Sequence, residues 1–373
     1  MPHFKELLKR SGNVPLALIV TIGDHRHHVL RALLKESARW QYLELTIMIG
    51  PSTSKTLDAL NDCRGNFPIL RTLDLYVPSS NSLPNSLSAF EDAPKLRTLV
   101  ICATMVDKFL LPWSQIFNFR SPHVDRGQLF EALKKAPALQ HIDLGGNKRA
   151  CLSSSDLDDS LITLPEVRSI HIPSESSLDA LHLPGLTGLS LEYRDFGSSM
   201  SSFVTRYANS LTTLEIDLLN RFPPPILPVL SALPHLERLE VYGPDQDNSA
   251  IKSLTVPSES ARDPLLPRLQ TLHLGFNIDV SDDLYDMLES RSPLSSRRCR
   301  ETSIGIANLL SVYLGVRRSW GWTDILPKFR ERVKAIQDSG MRIQIETGYV
   351  YNVSHKFASI SSQQARRARY SHS

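Results

Sequence analysis

A short pattern of apolar and polar positions recurs along most of the chain. It consists of an apolar residue, two variable residues, an apolar residue, one variable residue and a last apolar residue, and Leu-Pro or Ala-Pro often precedes it. The last two apolar positions are two residues apart, so both side chains point to one side of an extended segment. The pattern therefore predicts a series of short β-strands, each with one apolar side. The copies begin at Trp40, Leu70, Leu96, Leu139, Val167, Leu186, Leu211, Leu236, Leu269 and, as a plausible tenth, Leu309.

A single strand of this kind cannot bury its apolar side, so successive copies must stack as parallel neighbours. The pattern L-x-x-L-x-L-x-x-N is typical of leucine-rich repeats. We therefore expect an α/β fold, a leucine-rich-repeat solenoid with a curved parallel sheet on the concave face and helices and irregular loops on the convex face. Two copies keep the Asn, at Asn147 and Asn277, so we expect irregular turns elsewhere. The longest interval, from Leu96 to Leu139, has room for a further degenerate unit near 111–119.

Helix-compatible segments lie between the strands and at both ends of the chain. Residues 54–62, 127–135 and 281–288 are such segments between the strands, and 28–37 follows a predicted first strand over 16–20. Residues 323–339 predict a helix that ends at Gly340 and precedes a last strand with Ile343 and Ile345.

These elements predict one domain. We expect a single degenerate solenoid over 1–360, with an N-terminal capping unit at 1–50 and a C-terminal capping helix and strand at 323–350. Residues 361–373 are almost without apolar side chains and are expected to be a disordered basic tail.

Composition narrows the class of partner. The 373 residues are 41% hydrophobic, and 42 Lys and Arg against 39 Asp and Glu leave a net charge of +3. Such a balance argues against a dedicated nucleic-acid or anionic-membrane partner. No run approaches the roughly 18 apolar residues that span a bilayer, so we expect a cytoplasmic or nuclear protein. The four cysteines are far apart, without a CxxC pair, and are expected to be reduced.

Signatures of catalysis and of metal binding are weak. The sequence contains no GxGxxG, GxxxxGKS/T, GxSxG or HExxH motif, so we expect neither an enzyme nor a cofactor. His25, His27 and His28 could in principle bind a metal. Adjacent histidines point in different directions in a regular element, however, and a solvated turn is the favoured interpretation. No catalytic residue and no metal ligand is predicted.

The variable residues beside each apolar pair would line the concave face. In this set carboxylates far outnumber arginines, and such an acidic strip would favour a protein partner with a basic segment. The alternative is that these positions are polar in any soluble solenoid. The candidate partner-binding residues are Tyr42, Glu44, Asp74, Tyr76, His141, Asp143, His171, Glu192, Glu215, Asp217, Arg238, Glu240, Tyr242, His273 and Tyr313.

The sequence resembles the fungal, mushroom-type F-box proteins with degenerate leucine-rich repeats. The resemblance rests on residues 10–18 (RSGNVPLAL), 37–40 (SARW) and 111–114 (LPWS), together with the repeated Leu-Pro-x-Leu units. It implies a protein-recognition module similar to the substrate-binding part of an F-box receptor of an SCF-type ubiquitin ligase.

One part of that family's pattern is missing. The stretch RSGNxPLxLxL follows the F-box in such proteins, and residues 1–9 are too few for this helical module. We therefore expect the adaptor Skp1 as a partner only if an F-box is encoded upstream of Met1. The alternative is an orphan leucine-rich-repeat scaffold or a truncated paralogue without a link to ubiquitin ligases.

Overall fold

Alternating strands and helices give the chain an α/β fold. The computed structural model describes residues 2–23, 27–48, 50, 53–77, 85–102, 106–122, 126–144, 161–173, 180–193, 198–218, 226–243, 249–256, 264–276, 282–293, 306–316 and 322–347. The two pattern asparagines, Asn147 and Asn277, and the predicted tail at 361–373 lie outside these ranges, as does His25.

The recurring pattern forms strands at all ten positions, as predicted. The strands are β1 (Leu16–Ile22), β2 (Trp40–Ile47), β3 (Thr72–Tyr76), β4 (Thr98–Cys102), β5 (Asn118–Arg120), β6 (His141–Asp143), β7 (Ile162–Thr163), β8 (Ser169–Pro173), β9 (Leu181–His182), β10 (Gly188–Tyr193), β11 (Thr213–Leu218), β12 (Arg238–Gly243), β13 (Thr271–Phe276), β14 (Ser311–Val316) and β15 (Arg342–Thr347). Strand β5 lies in the long interval that had room for a further unit.

Thirteen of these strands form one parallel sheet in chain order. The remaining two, β7 and β9, pair with each other in a separate two-stranded sheet. Equivalent positions of the pattern are in register, so that Leu43 lies beside Leu73 and Leu73 beside Leu99. These three side chains are completely buried. The apolar side of each strand therefore faces the core, as the two-residue spacing requires.

Helix α1 precedes the first strand, and the other helices lie between strands in the sequence. They are α1 (Pro2–Arg10), α2 (His27–Leu34), α3 (Thr53–Asn61), α4 (Arg126–Lys134), α5 (Ser198–Arg206), α6 (Ile226–Ser231), α7 (Ser249–Leu254), α8 (Asp282–Ser290) and α9 (Trp322–Asp338). The five predicted helical segments correspond to α2, α3, α4, α8 and α9. Among the residues of α9 from 327 onward, Phe329, Val333 and Ile336 are buried, a helical spacing that turns one face to the core. After this helix Gly340 has a φ of 110°, in the left-handed region that favours glycine.

The chain divides into two compact units. Unit 1 comprises Met1–Arg168, Ala180–Pro184 and Phe357–Ser373, and unit 2 comprises Ser169–Asp179 and Gly185–Lys356. The single array over 1–360 stays a prediction. In unit 1 the rings of Trp40, Phe67 and Phe90 pack in succession, with centroids 5.4 and 4.9 Å apart. This aromatic series fills the core between the first helices and strands.

A buried arginine ties together irregular backbone in unit 2. The side chain of Arg291, at the end of α8, is 1% exposed. It donates hydrogen bonds to the carbonyls of Leu254 (2.6 Å), Leu266 (3.1 Å) and Leu265. Burial lowers the pKa of Arg291 to about 10. The guanidinium therefore supplies hydrogen-bond donors to the last carbonyl of α7 and to two carbonyls of the irregular segment that precedes β13.

Cys63 and Cys102 are free thiols within the described ranges. No helix there is long and apolar enough to cross a membrane.

Candidate functional site

The variable positions of neighbouring strands form rows on the sheet face opposite the apolar core, here called the outer face of each unit. Row neighbours are about 4.8 Å apart, the distance between adjacent strands. In unit 1 the middle row consists of Ile19, Glu44, Asp74, Val100, Arg120 and Asp143. In unit 2 it consists of His171, Ser190, Glu215, Glu240, His273, Tyr313 and Gln344.

Two carboxylates lie side by side on the outer face of unit 1. Glu44 and Asp74 are register neighbours, and burial together with the charge of Glu44 raises the pKa of Asp74 to about 6 against the opposing effect of Arg120. Tyr42 donates a hydrogen bond of 3.3 Å to Glu44. Within the described ranges neither carboxylate forms an ion pair. A basic group brought to this position would therefore relieve the repulsion between the two acids.

Asp143, by contrast, already has a basic partner. The Nε atom of Arg120 lies 3.2 Å from its carboxylate, and both side chains are largely covered. Tyr76 and His141 are exposed on flanking rows of the same face. On the outer face of unit 1, Asp143 is therefore neutralised by Arg120, whereas Glu44 and Asp74 form no ion pair within the described ranges.

The outer face of unit 2 contains a hydrogen-bonded network around Glu240, which is 8% exposed. Arg238 Nε donates to Glu240 Oε1 at 2.6 Å, and the Tyr242 hydroxyl donates to Oε2. His273 Nδ1 lies 3.3 Å from that Oε2 and 3.1 Å from the Tyr242 hydroxyl. Burial acts to raise the pKa of Glu240, but the hydrogen bonds from these three side chains outweigh burial and hold the pKa at about 2. Glu240 is therefore a carboxylate fully satisfied by its own unit.

Three rings pack around this network. The centroids of Tyr242 and His273 are 5.1 Å apart, and those of His273 and Tyr313 are 3.9 Å apart, in edge-to-face geometry. Tyr242 lies over Gly275 of the next strand, where an added Cβ would overlap the Tyr242 ring. Gly275 therefore makes the space that this ring occupies.

Glu215 is the row neighbour of Glu240 and lacks such neutralisation. Burial first, and then the charge of Glu240, raise the pKa of Glu215 to about 7. His171 and a hydrogen bond from Ser190 act in the opposite direction, and Asp217 adds to the rise. In the described part of the chain Glu215 has no ion pair. A mostly covered carboxylate beside a second carboxylate is energetically unfavourable in its charged form.

The structure places the predicted residues in two groups. Unit 1 carries Tyr42, Glu44, Asp74, Tyr76, His141 and Asp143 on strands β2, β3 and β6. Unit 2 carries His171, Glu192, Glu215, Asp217, Arg238, Glu240, Tyr242, His273 and Tyr313 on strands β8 and β10 to β14. Within unit 2, Arg238, Glu240, Tyr242 and His273 come into contact.

Two residues of the site did not emerge from the sequence. Arg120 lies on the short strand β5, for which the sequence indicated only room for a degenerate unit near 111–119. Gly275 follows an apolar pair, a position that by itself indicates no special role. Its role depends on the size of Tyr242 on the neighbouring strand.

Compared with models of known protein families and with curated proteins, the sequence matches none. Among the described residues no group of three or more His, Cys, Asp or Glu side chains could hold a metal ion.

Proposed function

We propose that this protein is a non-enzymatic recognition module that binds the basic segment of a protein partner on its outer faces. One observation carries the proposal: Glu44, Asp74 and Glu215 are partly covered carboxylates that form no ion pair within the described ranges. Each would gain a counter-charge from a partner's lysine or arginine. Nucleic-acid phosphate would be repelled by the same positions.

We further propose that the fold is a leucine-rich-repeat solenoid. Support comes from the strand order, since successive copies of the pattern form successive parallel neighbours in both units. In such an array each repeat contacts its neighbours, and the variable side chains form an extended surface that suits a long polypeptide segment. The irregular intervals between strands would add specificity.

A recognition role fits the site better than catalysis. Glu240, the residue with the most partners, is held as a stable anion by three donors, so it is a poor general base. The rings of Tyr242 and His273 are packed against each other and are almost completely buried. The network therefore resembles a rigid support for a surface more than a reaction centre.

The binding proposal is tested with a fluorescein-labelled octalysine peptide and the full chain. Fluorescence anisotropy gives the Kd at several salt concentrations, for the wild type and for the charge reversals Asp74→Lys and Glu215→Lys. Glu331→Lys, at an exposed position of α9, is the matched control. We expect each outer-face reversal to weaken binding by about tenfold at low salt, and the control to leave it near the wild-type value. Equal affinities for all four proteins would refute the proposal.

The ubiquitin-ligase context is a separate proposal that rests on the sequence resemblance. It predicts that the native transcript encodes an F-box in frame upstream of Met1, and that the complete product captures Skp1 in a pull-down. A native start at Met1 without Skp1 capture would leave an orphan recognition scaffold.

A further inference from the structure

Strand β1 forms an open edge of the thirteen-stranded sheet. It pairs with β2 on one side, and on its other side no strand of the described ranges pairs with it. An open edge offers a row of backbone donors and acceptors to another chain, and folded proteins usually protect such edges with charged side chains or proline. The seven residues of β1, LALIVTI, include no charged residue and no proline. This edge therefore lacks the usual protection.

The opposite edge strand, β15, has a polar outer face. Arg342 and Gln344 lie on that face, and both are exposed. Ile19 of β1 occupies the middle row of unit 1, as Gln344 does in unit 2, and is 53% exposed. Both edge strands leave core-facing residues only half-buried, so they differ chiefly in their outer faces. The β1 edge is thus uncharged on both faces and carries an exposed isoleucine at its centre.

The hydrogen bonds between β1 and β2 show which backbone groups remain at the open edge. The carbonyl of Ile22 accepts a hydrogen bond of 2.9 Å from the Met48 amide. Backbone groups of successive residues point to opposite sides of a strand, so those of the residues between point away from β2. The N–H and C=O groups of Ala17, Ile19 and Thr21 therefore lie at the open edge, and no described residue bonds to them.

We infer that β1 is the interface of a symmetric homodimer, in which the β1 strands of two copies pair antiparallel with Ile19 opposite Ile19. The inference is independent of the proposed recognition function. A second copy fits this edge because a two-fold axis at Ile19 brings apolar or uncharged residues together at every position. The register partners are Ala17 with Thr21, Leu18 with Val20, and Leu16 with Ile22.

The open backbone groups match this register. Antiparallel strands exchange two hydrogen bonds at every second residue pair, and the residues with open groups pair only with one another. Ala17, Ile19 and Thr21 of the two copies would therefore form about six hydrogen bonds across the axis. The two Ile19 residues form a hydrogen-bonded pair, the kind whose Cα atoms are about 5.5 Å apart.

Side-chain burial and charge favour a second copy over a charged peptide. Leu18 and Val20 are half-buried in the single chain, whereas Leu43 and Leu45 on β2 are almost completely buried. In the dimer Leu18 and Val20 would cover each other across the axis, and the exposed Ile19 side chains would pack together. A charged peptide would find no counter-charge on β1, since the strand carries none.

Sedimentation velocity of the full chain over a dilution series tests the dimer. The wild type should sediment at twice the 41.9 kDa of one chain. Ile19→Lys places two ammonium groups opposite each other and should raise the dimer Kd at least about tenfold. Since Ile19 is exposed in the single chain, this variant should keep the wild-type circular dichroism spectrum.

Gln344→Lys is the matched control, because it adds the same charge to the middle row of the opposite edge strand. It should dimerise as the wild type does. A monomeric wild type would overturn the inference and leave the β1 edge to a segment of another protein. Dissociation by Gln344→Lys and not by Ile19→Lys would overturn it as well.

Disulfide cross-linking tests the register. In Ile19→Cys the two new cysteines would have Cα atoms about 5.5 Å apart, within the range that a disulfide bridges. In Thr21→Cys they would be about 14 Å apart, because each Thr21 lies opposite Ala17 of the other copy. Mild oxidation followed by non-reducing electrophoresis should therefore give covalent dimers of Ile19→Cys, and none of Thr21→Cys or of the wild type with its native cysteines.

A mixture of Ala17→Cys and Thr21→Cys proteins should form a cross-linked dimer, since these two positions face each other in the proposed register. Cross-linking of Thr21→Cys to itself, or the absence of an Ile19→Cys dimer, would overturn the antiparallel pairing about Ile19.

Discussion

Replacing Glu215 by glutamine should stabilise the protein, and increasingly so as the pH rises. The side chain is mostly covered and lies beside Glu240, so its charged form destabilises the folded protein. Its pKa lies at about 7, above its ordinary value of 4.5. The folded state therefore binds the Glu215 proton more tightly than the unfolded state does. Stability is lost as the pH rises from 4.5 to 7, because the folded protein must then release that proton.

The size of the effect follows from the two pKa values. Their difference, 7 − 4.5 = 2.5, corresponds to roughly 3 kcal/mol. Because the carboxylate is partly exposed, screening by water reduces the expected gain to about 2 kcal/mol. Glutamine has nearly the same shape and no charge, so Glu215→Gln should match the wild type near pH 4 and exceed it by this amount at pH 8.

Urea unfolding followed by circular dichroism at pH 4, 6 and 8 measures the difference directly. The free energies of unfolding of wild type, Glu215→Gln and the control Glu331→Gln are compared at each pH. A difference between wild type and Glu215→Gln that stays constant with pH would refute the reasoning. Stabilisation combined with weaker partner binding is the behaviour expected of a residue kept for function at the cost of stability.

Three further substitutions test the remaining contacts. Glu240→Gln should lower the free energy of unfolding by roughly 3 kcal/mol at pH 7 and by much less near pH 2. The reason is that the stabilisation by this low-pKa carboxylate is lost as the pH falls from 4.5 to 2. Urea unfolding at both pH values measures the difference. Gly275→Ala should cost about 1–3 kcal/mol by displacing Tyr242, and a wild-type unfolding curve would contradict the close packing. Arg291→Met should cost about 3 kcal/mol or more, because three backbone carbonyls lose their donor; an unchanged Tm would argue against that role.

Most strands of the thirteen-stranded sheet were predictable because their signal is local, whereas β7 and β9 were not predicted. Two apolar residues at a spacing of two suffice to define the buried side of a strand, and equivalent positions such as Leu214 and Leu239 then lie in register. The weak strand β5 shows where the signal fades, since Phe119 is the one apolar residue on its three-residue span. Helix α1 was not predicted, because its pattern is short and precedes the first repeat.

The properties of the site were less predictable because they depend on contacts between strands. Glu215 and Glu240 occupy the same position of successive repeats, yet one has a pKa of about 7 and the other of about 2. The difference arises from Arg238 and Tyr242 on the same strand and His273 on the next. A sequence pattern gives the row in which a residue lies, but not the hydrogen bonds that its neighbours make.

Carboxylate footprinting tests the central claim most directly. The full chain is labelled with a carbodiimide and glycine ethyl ester at pH 8, with and without octalysine, and the modified acids are identified by mass spectrometry. We predict that octalysine protects Glu215 and the pair Glu44 and Asp74, while Glu331 is labelled equally in both samples. Protection of helix acids such as Glu331 with unchanged labelling of the outer faces would contradict the account.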